Sequence, residues 1–249
     1  MPQTDAVFAG SIPAFYDRYL GPLLFEPYAA DLGRRLADLR SGRVLETAAG
    51  TGIVTRMLIQ TLPETVAIVA TDLNQPMLDF AAAQPGSARV EWRKADARSL
   101  PFEKDSFDAV VCQFGVMFFP DSVWDRLEEN ELSQIVSDTV AELFPVDPPR
   151  FLARTPYAYC DIGIIRDELA EAGFSSTTAE TLRQISCATS ARDAVIGLCQ
   201  GSPLRSEIEA RNPDRLSAAT DAAASAVADR FGDGVVQAKM QAHVITATN

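Results

Sequence analysis

The segment from Arg43 to Thr55, RVLETAAGTGIVT, constrains the fold more than any other part of the chain. Residues 43–46 are typical of a short buried strand, and residues 53–62 have the composition of a helix. Between them lies a turn with small residues at every second position, namely Ala48, Gly50 and Gly52. A strand that leads through such a turn into a helix brings bare backbone and a helix N-terminus close to a ligand. The segment therefore predicts a nucleotide-binding turn in an α/β fold.

The turn fits one of two nucleotide-binding patterns better than the other. A dinucleotide-binding turn has a third small residue where this chain carries Thr55, which fits that pattern poorly. This chain instead has an acidic residue, Glu46, at the end of the strand before the turn. The arrangement resembles the first motif of the class I S-adenosylmethionine-dependent methyltransferases, with Ala48 at a position where glycine is commoner. Their cofactor carries a cationic sulfonium and an amino acid tail, and a nearby carboxylate stabilises such positive charge.

Acidic residues also come after the second and third predicted strands. Residues 67–71 form an apolar strand that leads to Asp72, where a carboxylate can accept hydrogen bonds from two ribose hydroxyls in either pattern. Residues 90–93 form the next strand, which leads to Asp96 and Ala97. The resemblance implies that the Asp96 carboxylate accepts from the adenine amino group and that the Ala97 N–H meets a ring nitrogen; an aspartate in a surface turn is the alternative. The series of three strand-end acids is more specific than any one of them, and on it the chain is identified as a member of the methyltransferase family.

The resemblance implies further contacts with the cofactor. Met77 is expected at the adenine face, although packing inside a helix explains this residue equally well. A link of the form LPFEKDSFD, recurrent in small-molecule methyltransferases, leads into a fourth buried strand over residues 109–112. The residues after that strand lie beside the sulfonium in the family. The expected cofactor-binding residues are Glu46, Ala48, Gly50, Gly52, Asp72, Leu73, Met77, Asp96, Ala97, Gln113 and Phe114.

Aromatic residues near the N-terminus are candidates for a substrate pocket. Residues 12–28 contain three prolines and are predicted to form short helices. In the family such helices cap the cofactor pocket, and ordinary packing of aromatic side chains onto the domain is the alternative. Residues 151–158 are expected to form part of a lid over the same pocket. The candidates for this pocket are Tyr16, Tyr19, Phe118 and Tyr157.

The chain departs from the family after the fourth strand. Members normally continue with a helix and a Pro-Gly-Gly turn into a fifth strand, whereas here residues 119–121 run directly into residues 123–126, which resemble the segment just after the family's fifth strand. A parallel crossover needs roughly a dozen residues or more. One helix and most of one central strand are therefore expected to be missing, because the protein is a deletion variant or because the sequence leaves residues out. The fourth strand would then keep an open or re-paired edge.

Charge and composition argue against several functional classes. The formal net charge is −12, whereas nucleic-acid binding depends on clustered lysine and arginine, so no nucleic-acid partner is expected. No apolar run reaches the length of a membrane span and the N-terminus lacks signal-peptide features, which predicts a cytoplasmic protein without a membrane partner. The cysteines are scattered, and no metal site is expected. The one histidine, His243, lies in an apolar strand-like run and is predicted to be a core residue, which disfavours a Ser-His-Asp hydrolase.

The order of predicted elements defines the fold class as α/β. We expect a Rossmann-like methyltransferase fold: a mostly parallel sheet with helices on both faces, a helical lid insertion and an antiparallel last hairpin. The later elements include an amphipathic helix over residues 126–144 and strands over 174–185 and 235–247. A chain of 249 residues predicts one domain. Its expected parts are cap helices at 1–40, the cofactor core at 41–121, the helical insertion at 122–172 and the C-terminal part of the sheet and helices at 173–249.

The function implied by the resemblance is methyl transfer from S-adenosylmethionine to a small-molecule acceptor by direct displacement. Such a reaction needs alignment and exclusion of water, not a covalent residue. A hydroxyl or carbon-acid acceptor also requires a general base, which the sequence does not identify. Two alternatives stay open: a nicotinamide-dependent oxidoreductase, which Thr55 and the lack of a Tyr-x-x-x-Lys pair weigh against, and a cofactor-binding protein that has lost turnover. The sequence does not determine the acceptor or distinguish a monomer from a homodimer.

Overall fold

The computed structural model describes residues 12–115 and 124–248, and its centre is a four-stranded parallel sheet. The strand order is β3-β2-β1-β4, and each neighbouring pair runs parallel. The strands are β1 (Gly42–Glu46), β2 (Val66–Asp72), β3 (Val90–Lys94) and β4 (Ala109–Val111). The predicted strands are confirmed. Short apolar runs between turn signals are typical of strands buried in a parallel sheet, as β1 and β2 are.

The N-terminal residues form one continuous helical run instead of the predicted separate short helices. The run consists of α1 (Ile12–Phe15), a π-helix (Tyr16–Phe25) and α2 (Glu26–Leu36). The prolines do not interrupt it: Pro22 lies inside the π-helix, and Pro27 lies in the first turn of α2. Each proline withdraws one N–H from the backbone hydrogen bonds of the run, and the helical conformation continues past both of them.

Helices flank the sheet and make up most of the second half of the chain. Two of them come directly after strands of the parallel sheet, α3 (Ile53–Thr61) and α4 (Gln75–Ala82). The later helices are α5 (Glu131–Leu143), α6 (Phe151–Arg154), α7 (Ile162–Glu171), α8 (Ala191–Gln200), α9 (Leu204–Arg211) and α10 (Leu216–Phe231). Short 3₁₀ turns cover Ser87–Arg89, Leu127–Glu129 and Pro213–Arg215. None of the helices in the described ranges is long and apolar enough to cross a membrane.

The amphipathic helix predicted for residues 126–144 begins later than expected, at Glu131. The reason is Asn130, whose side chain bonds to backbone outside the helix. Its Nδ2 donates to the Arg126 carbonyl (3.1 Å), and its Oδ1 accepts from the Gln241 N–H (3.0 Å). Asparagine favours such local backbone contacts over helical geometry, and the apolar periodicity of the helix could not reveal its distant partner.

The predicted antiparallel pairing of the last two strands is confirmed, but the two strands form a sheet of their own and are not part of the parallel sheet. β5 (Ser176–Ala188) and β6 (Val236–Thr248) pair antiparallel along their full length. In the described residues β4 has a ladder partner on one side only, β1, so the expected open edge of the fourth strand is present. The junction itself, residues 116–123, lies outside the described residues.

An aromatic cluster joins the parallel sheet to the second half of the chain. Trp124 is 1% exposed, and its ring stacks on Phe114 with centroids 3.9 Å apart. Tyr28 of α2 meets both rings edge-on, at 5.3 Å and 5.5 Å. Trp124 also forms an isolated antiparallel bridge with Ala242 of β6. Buried aromatic pairs in such geometries stabilise more than their area alone implies, so this cluster fixes β6 relative to the end of β4.

Candidate cofactor site

The turn after β1 is attached to both neighbouring strands. The Thr47 N–H donates to the Val111 carbonyl of β4, and the Ala49 N–H donates to the Thr71 carbonyl of β2, each at 2.9 Å. These bonds hold the turn at the C-terminal edge of the parallel sheet, which is where ligands bind in open α/β folds.

Three small residues of the turn adopt left-handed backbone conformations: Ala48 (φ 51°), Gly50 (φ 56°) and Gly52 (φ 79°). A Cβ atom built on Gly52 would lie 3.1 Å from Ala81 Cβ and 3.3 Å from the Trp92 ring, so the turn packs closely there. A Cβ on Gly50 would meet no described heavy atom within 4 Å. The turn is thus closed on the side of α4 and open beside Gly50, where a ligand can approach its backbone.

Asp72, the acid at the end of β2, holds the turn directly. Its Oδ2 accepts from the Gly50 N–H (2.8 Å) and its Oδ1 from the Asn74 N–H (2.7 Å). The side chain is largely buried, and burial raises the pKa of its carboxyl, an effect that the backbone N–H donors oppose. Each carboxylate oxygen has two acceptor positions. Because Asn74 Nδ2 also donates to Oδ1 (3.4 Å), the position left for a ligand hydroxyl is on Oδ2.

Glu46, the acid at the end of β1, is more deeply buried. Its Oε2 accepts a 2.5 Å hydrogen bond from the Thr55 hydroxyl of α3. Burial raises the pKa of Glu46 to about 8, and the bond from Thr55 and the Coulombic effect of Arg56 act in the opposite direction. Glu46 is therefore mostly protonated at neutral pH in the free protein. A cationic ligand beside it would favour its ionised form.

Asp96 lies after β3 and is already paired within the chain. Both of its carboxylate oxygens bond the Arg98 guanidinium, Oδ1 at 3.1 Å and Oδ2 at 2.7 Å. The bonds from Arg98 lower the pKa of Asp96 to about 2, so the carboxylate is ionised at neutral pH. Ala97 beside it is half-buried, and Leu73 after β2 is 50% exposed. The Arg98 partner was not predicted, because contacts of this kind leave no periodic signal in the sequence.

The N-terminal helical run covers the site. Ile12 and Tyr16 pack against Met77, and burial followed by the charge of Asp72 raises the pKa of the Tyr16 phenol. These contacts place Tyr16 next to Met77 and Asp72. Tyr19, the other predicted tyrosine of this run, has a different environment, since its ring stacks on Phe15 at 5.8 Å.

An arginine outside every sequence motif, Arg56, attaches this cover to the turn. Arg56 of α3 donates from Nη2 to Asp17 Oδ1 (2.7 Å) and from Nη1 to the Thr51 carbonyl (2.8 Å). Asp17 belongs to the π-helix and Thr51 to the glycine turn, so one guanidinium links the two. The Thr51 hydroxyl oxygen is buried without a hydrogen-bond partner among the described residues. A buried hydroxyl of this kind fits a site that a polar ligand completes.

The residues after β4 have mixed environments. Gln113 donates from Nε2 to the Phe25 carbonyl (2.9 Å), while its Oε1 is buried and has no partner in the described part of the chain. Phe114 has a positive φ of 55° and is buried in its stack with Trp124. Phe114 is thus a core residue in this structure, and its predicted contact with a cofactor stays a prediction.

The predicted substrate-pocket residues are only partly brought together. Tyr16 and Tyr157 both line a small apolar cavity of about 40 Å³. Tyr157 is 6% exposed, and its hydroxyl lies 2.7 Å from Ser133 Oγ. The segment predicted as a lid, residues 151–158, therefore contributes to the hydrophobic core. Phe118 lies outside the described residues.

The part of the chain that matches a known protein family contains most of the predicted strand–turn–helix motif. Residues 44–132 match the family model described as a methyltransferase domain. A demethylmenaquinone methyltransferase of Clavibacter sepedonicus is 39% identical over 84 residues, which are 33% of this chain and 33% of that protein. A ubiquinone/menaquinone biosynthesis C-methyltransferase of Geobacter sulfurreducens is 37% identical over 79 residues, 30% of this chain and 31% of that protein. The chain thus spans about a third of the length of these curated relatives.

Solved structures share the fold at low sequence identity. The YcgJ protein of Bacillus subtilis superposes with a TM-score of 0.54 at 16% identity, covering 90% of this chain and 99% of that one. The Haemonchus contortus phosphoethanolamine N-methyltransferase 2, solved with S-adenosyl-L-methionine, gives a TM-score of 0.53 at 14% identity, covering 95% of this chain and 56% of that one. These similarities show a Rossmann-like methyltransferase fold and leave the acceptor open.

Proposed function

We propose that this chain, whose residues 44–132 match the methyltransferase domain family, transfers the methyl group of S-adenosylmethionine to a small-molecule acceptor by direct displacement. One observation carries the proposal: the Gly50 N–H donates to Asp72 Oδ2 at 2.8 Å. This bond joins the two parts of the predicted cofactor site, the glycine turn and the strand-end acid. The alternative of a nicotinamide-dependent oxidoreductase has no comparable support, because the family model that matches residues 44–132 is that of a methyltransferase domain.

The residues of the site fit this cofactor. The space beside Gly50 is open to a ligand, and the buried Thr51 hydroxyl has an unused hydrogen-bonding capacity among the described residues. Asp72 would accept from a ribose hydroxyl, and Glu46 would face the positive charge of the amino acid tail and sulfonium. Met77 would contact the adenine, with Asp96 and the Ala97 N–H at its polar edge. When bound, S-adenosylmethionine supplies a methyl group that is activated by a neutral thioether leaving group.

The protein's own contribution to the reaction is to position the reactants and to exclude water. The helical run that carries Tyr16 covers the site, and Arg56 fixes that cover to the turn through Asp17. Alignment of two reactants in a closed site accounts for a large part of the acceleration in displacement reactions. No covalent residue is needed, which agrees with a site built from acids, small residues and aromatic side chains.

A second candidate function is binding of the cofactor without catalytic turnover. It is favoured by the separation of the strands into two sheets. β4 has one ladder partner in the described residues, and β5 and β6 form a separate sheet. Residues that align an acceptor can be displaced by such a rearrangement while the turn between β1 and α3 stays intact.

Calorimetric titration of the full chain with S-adenosylmethionine and with S-adenosylhomocysteine tests the proposal. Micromolar binding is expected, with a loss of at least tenfold in Asp72→Ala and in Glu46→Ala. Asp229→Ala removes an exposed acid of α10 and serves as the matched control with unchanged affinity. A folded chain that binds neither molecule would overturn the proposal. Binding without methyl transfer to any member of an acceptor panel would favour the second candidate.

A further inference from the structure

The strand β5 (Ser176–Ala188) has a ladder partner on one side only. It pairs with β6 over thirteen successive residues in a continuous register, and no described strand pairs with its other side. We call that unpaired side the outer edge of β5. At about 3.4 Å per residue the outer edge is about 44 Å long, which is more than most strands in globular proteins reach. It is thus a long template for pairing with another strand.

The hydrogen bonds of β6 show which backbone groups of β5 point to the outer edge. The Gln241 N–H donates away from β5 to Asn130 Oδ1 (3.0 Å), and the Gln241 carbonyl accepts from the Asp125 N–H (3.3 Å). Gln241 lies opposite Arg183. Opposite residues of an antiparallel pair alternate between bonding each other and turning both groups away. The odd-numbered residues of β5 therefore direct their N–H and C=O groups to the outer edge. These residues are Thr177, Ala179, Thr181, Arg183, Ile185 and Cys187.

These backbone groups are available for pairing. In the described ranges none of the six residues has a backbone–backbone hydrogen bond outside the ladder with β6. Apolar surface is available beside them, since the Ile185 side chain is 50% exposed. Main-chain hydrogen bonds to an unpaired edge are the basis of recognition by strand addition. The outer edge of β5 therefore suits an extended strand as its partner.

The edge strands β3 and β5 differ in how they are protected against such pairing. β3 is charged at three exposed positions out of five, Glu91, Arg93 and Lys94. Charged side chains on an edge strand, lysine above all, oppose pairing with another chain. β5 carries two charged residues in thirteen, Glu180 and Arg183, and contains no lysine, proline or glycine. The outer edge of β5 therefore lacks the protection that the edge of β3 has.

A second copy of β5 is self-complementary with this edge. Two copies related by a two-fold axis at right angles to the sheet run antiparallel, and residues of the same face meet. The register that pairs all thirteen residues is centred on Leu182. It places Arg183 opposite Thr181 and leaves no charged residue opposite a like charge. A register centred on Arg183 would place two guanidinium groups opposite each other, which is unfavourable.

We infer that the protein forms a dimer in which the outer edges of two β5 strands pair antiparallel in the register centred on Leu182. Two hydrogen bonds in each of the six outward-directed pairs give about twelve between the copies. The half-exposed Ile185 side chain is then covered beside Ala179 of the second copy. The inference does not depend on the proposed function, because β5 carries none of the residues proposed to bind the cofactor.

Disulfide trapping tests the register. Thr177→Cys places a thiol opposite the exposed Cys187 of the second copy, at the Cα separation of about 5.5 Å that a disulfide spans. Mild oxidation should then give a covalent dimer on non-reducing electrophoresis. Ser176→Cys, whose side chain points to the other face of the sheet, is the matched control and should give little or none. Equal cross-linking of the two variants, or none in Thr177→Cys, would overturn the inference.

Sedimentation of the unmodified chain tests the interface without a cross-link. Single-strand interfaces are small, so the dimer should dissociate on dilution through the range of about 1–100 µM. Each copy has a net charge of −12, and salt screens the repulsion between the copies, so the dimer should strengthen as the ionic strength rises. A chain that stays monomeric over this range at high salt would overturn the inference.

A pair of lysine variants locates the interface. Ile185→Lys adds a charge at the outer edge and removes the apolar contact, which should weaken the dimer by roughly tenfold because two cross-strand pairs change. Val146→Lys adds the same charge at a valine that is 98% exposed and far from β5 in sequence, and it should leave the dimer intact. Circular dichroism checks that both variants are folded. Equal effects of the two variants would show that the dimer uses another surface and would overturn the inference.

Discussion

The hydroxyl of Thr55 donates a 2.5 Å hydrogen bond to the carboxyl of Glu46, which joins the start of α3 to the end of β1. Both groups are buried, at 0% and 2% exposure. Thr55 is the residue that makes the glycine turn a poor dinucleotide motif, and in the folded chain it is the partner of the acid that identifies the methyltransferase motif. The same threonine side chain is therefore the reason for the poor fit to the dinucleotide pattern and the hydrogen-bond donor to Glu46.

The first prediction concerns the contribution of the hydrogen bond from Thr55 to the free energy of unfolding. Thr55→Val keeps the shape of the side chain but leaves Glu46 without its donor, which should lower the free energy of unfolding by about 1–3 kcal/mol. Urea denaturation followed by circular dichroism measures this change. Thr246→Val, at an exposed position of β6, is the control, for which a change within about 0.5 kcal/mol is expected. Equal effects of the two substitutions would contradict the role of the bond.

The second prediction concerns pH. The ordinary pKa of Glu46, 4.5, is raised to about 8 by burial, so the unfolded chain loses this proton in a pH range where the folded chain retains it. The unfolded state then binds fewer protons, and stability falls as the pH rises from 4.5 to about 8. The raised pKa of Asp72 acts in the same direction, beginning at lower pH.

Glu46→Gln removes this titration and keeps an acceptor for Thr55. The variant should gain stability relative to the wild type as the pH rises, by up to about 5 kcal/mol for a shift of this size. Urea denaturation of both proteins at about pH 5 and about pH 9 checks the prediction. A constant difference between the two proteins across this range would show that Glu46 does not titrate as described.

The third prediction concerns the strained backbone of the turn. Ala48 has a φ of 51°, in the left-handed region that costs an L-residue about 1–2 kcal/mol relative to glycine. Ala48→Gly should therefore raise the free energy of unfolding by about 0.5–1 kcal/mol after the larger chain entropy of glycine is counted. The same substitution at Ala222, inside α10, should lower it by about 1 kcal/mol. Thermal unfolding of the two variants should show melting-temperature shifts of opposite sign.

The fourth prediction concerns the helical cover. Arg56→Gln removes the ion pair between Arg56 and Asp17 and so frees the π-helix from the turn. The two side chains are only 26% and 21% exposed, respectively. Amide hydrogen exchange should become faster over residues 12–25 and stay unchanged in β5 and β6. Arg192→Gln breaks a more exposed pair with Asp221 and should have little effect on exchange in the cover. Unchanged exchange over residues 12–25 in Arg56→Gln would show that other contacts hold the cover.

Much of the parallel sheet could be predicted because its signals are local. The apolar runs that form β1 and β2, each ending in an acid, fix strand positions without reference to distant residues. Where a distant partner decides the structure, the prediction was incomplete or wrong. α5 begins at Glu131, later than predicted, where the Asn130 side chain bonds to Gln241, and no periodicity reveals a contact over that sequence distance.

The sequence by itself determined the strand–turn–helix motif, the acids that close successive strands and the shortage of residues after β4, since each depends on residue type and spacing along the chain. Only the tertiary structure decided that β5 and β6 form a separate sheet, that Arg56 attaches the cover to the turn and that Gln113 and His243 line one cavity. The physical reason is that these features depend on which edges and polar groups meet after the chain has folded. Pairing energies between distant groups leave no trace in local composition.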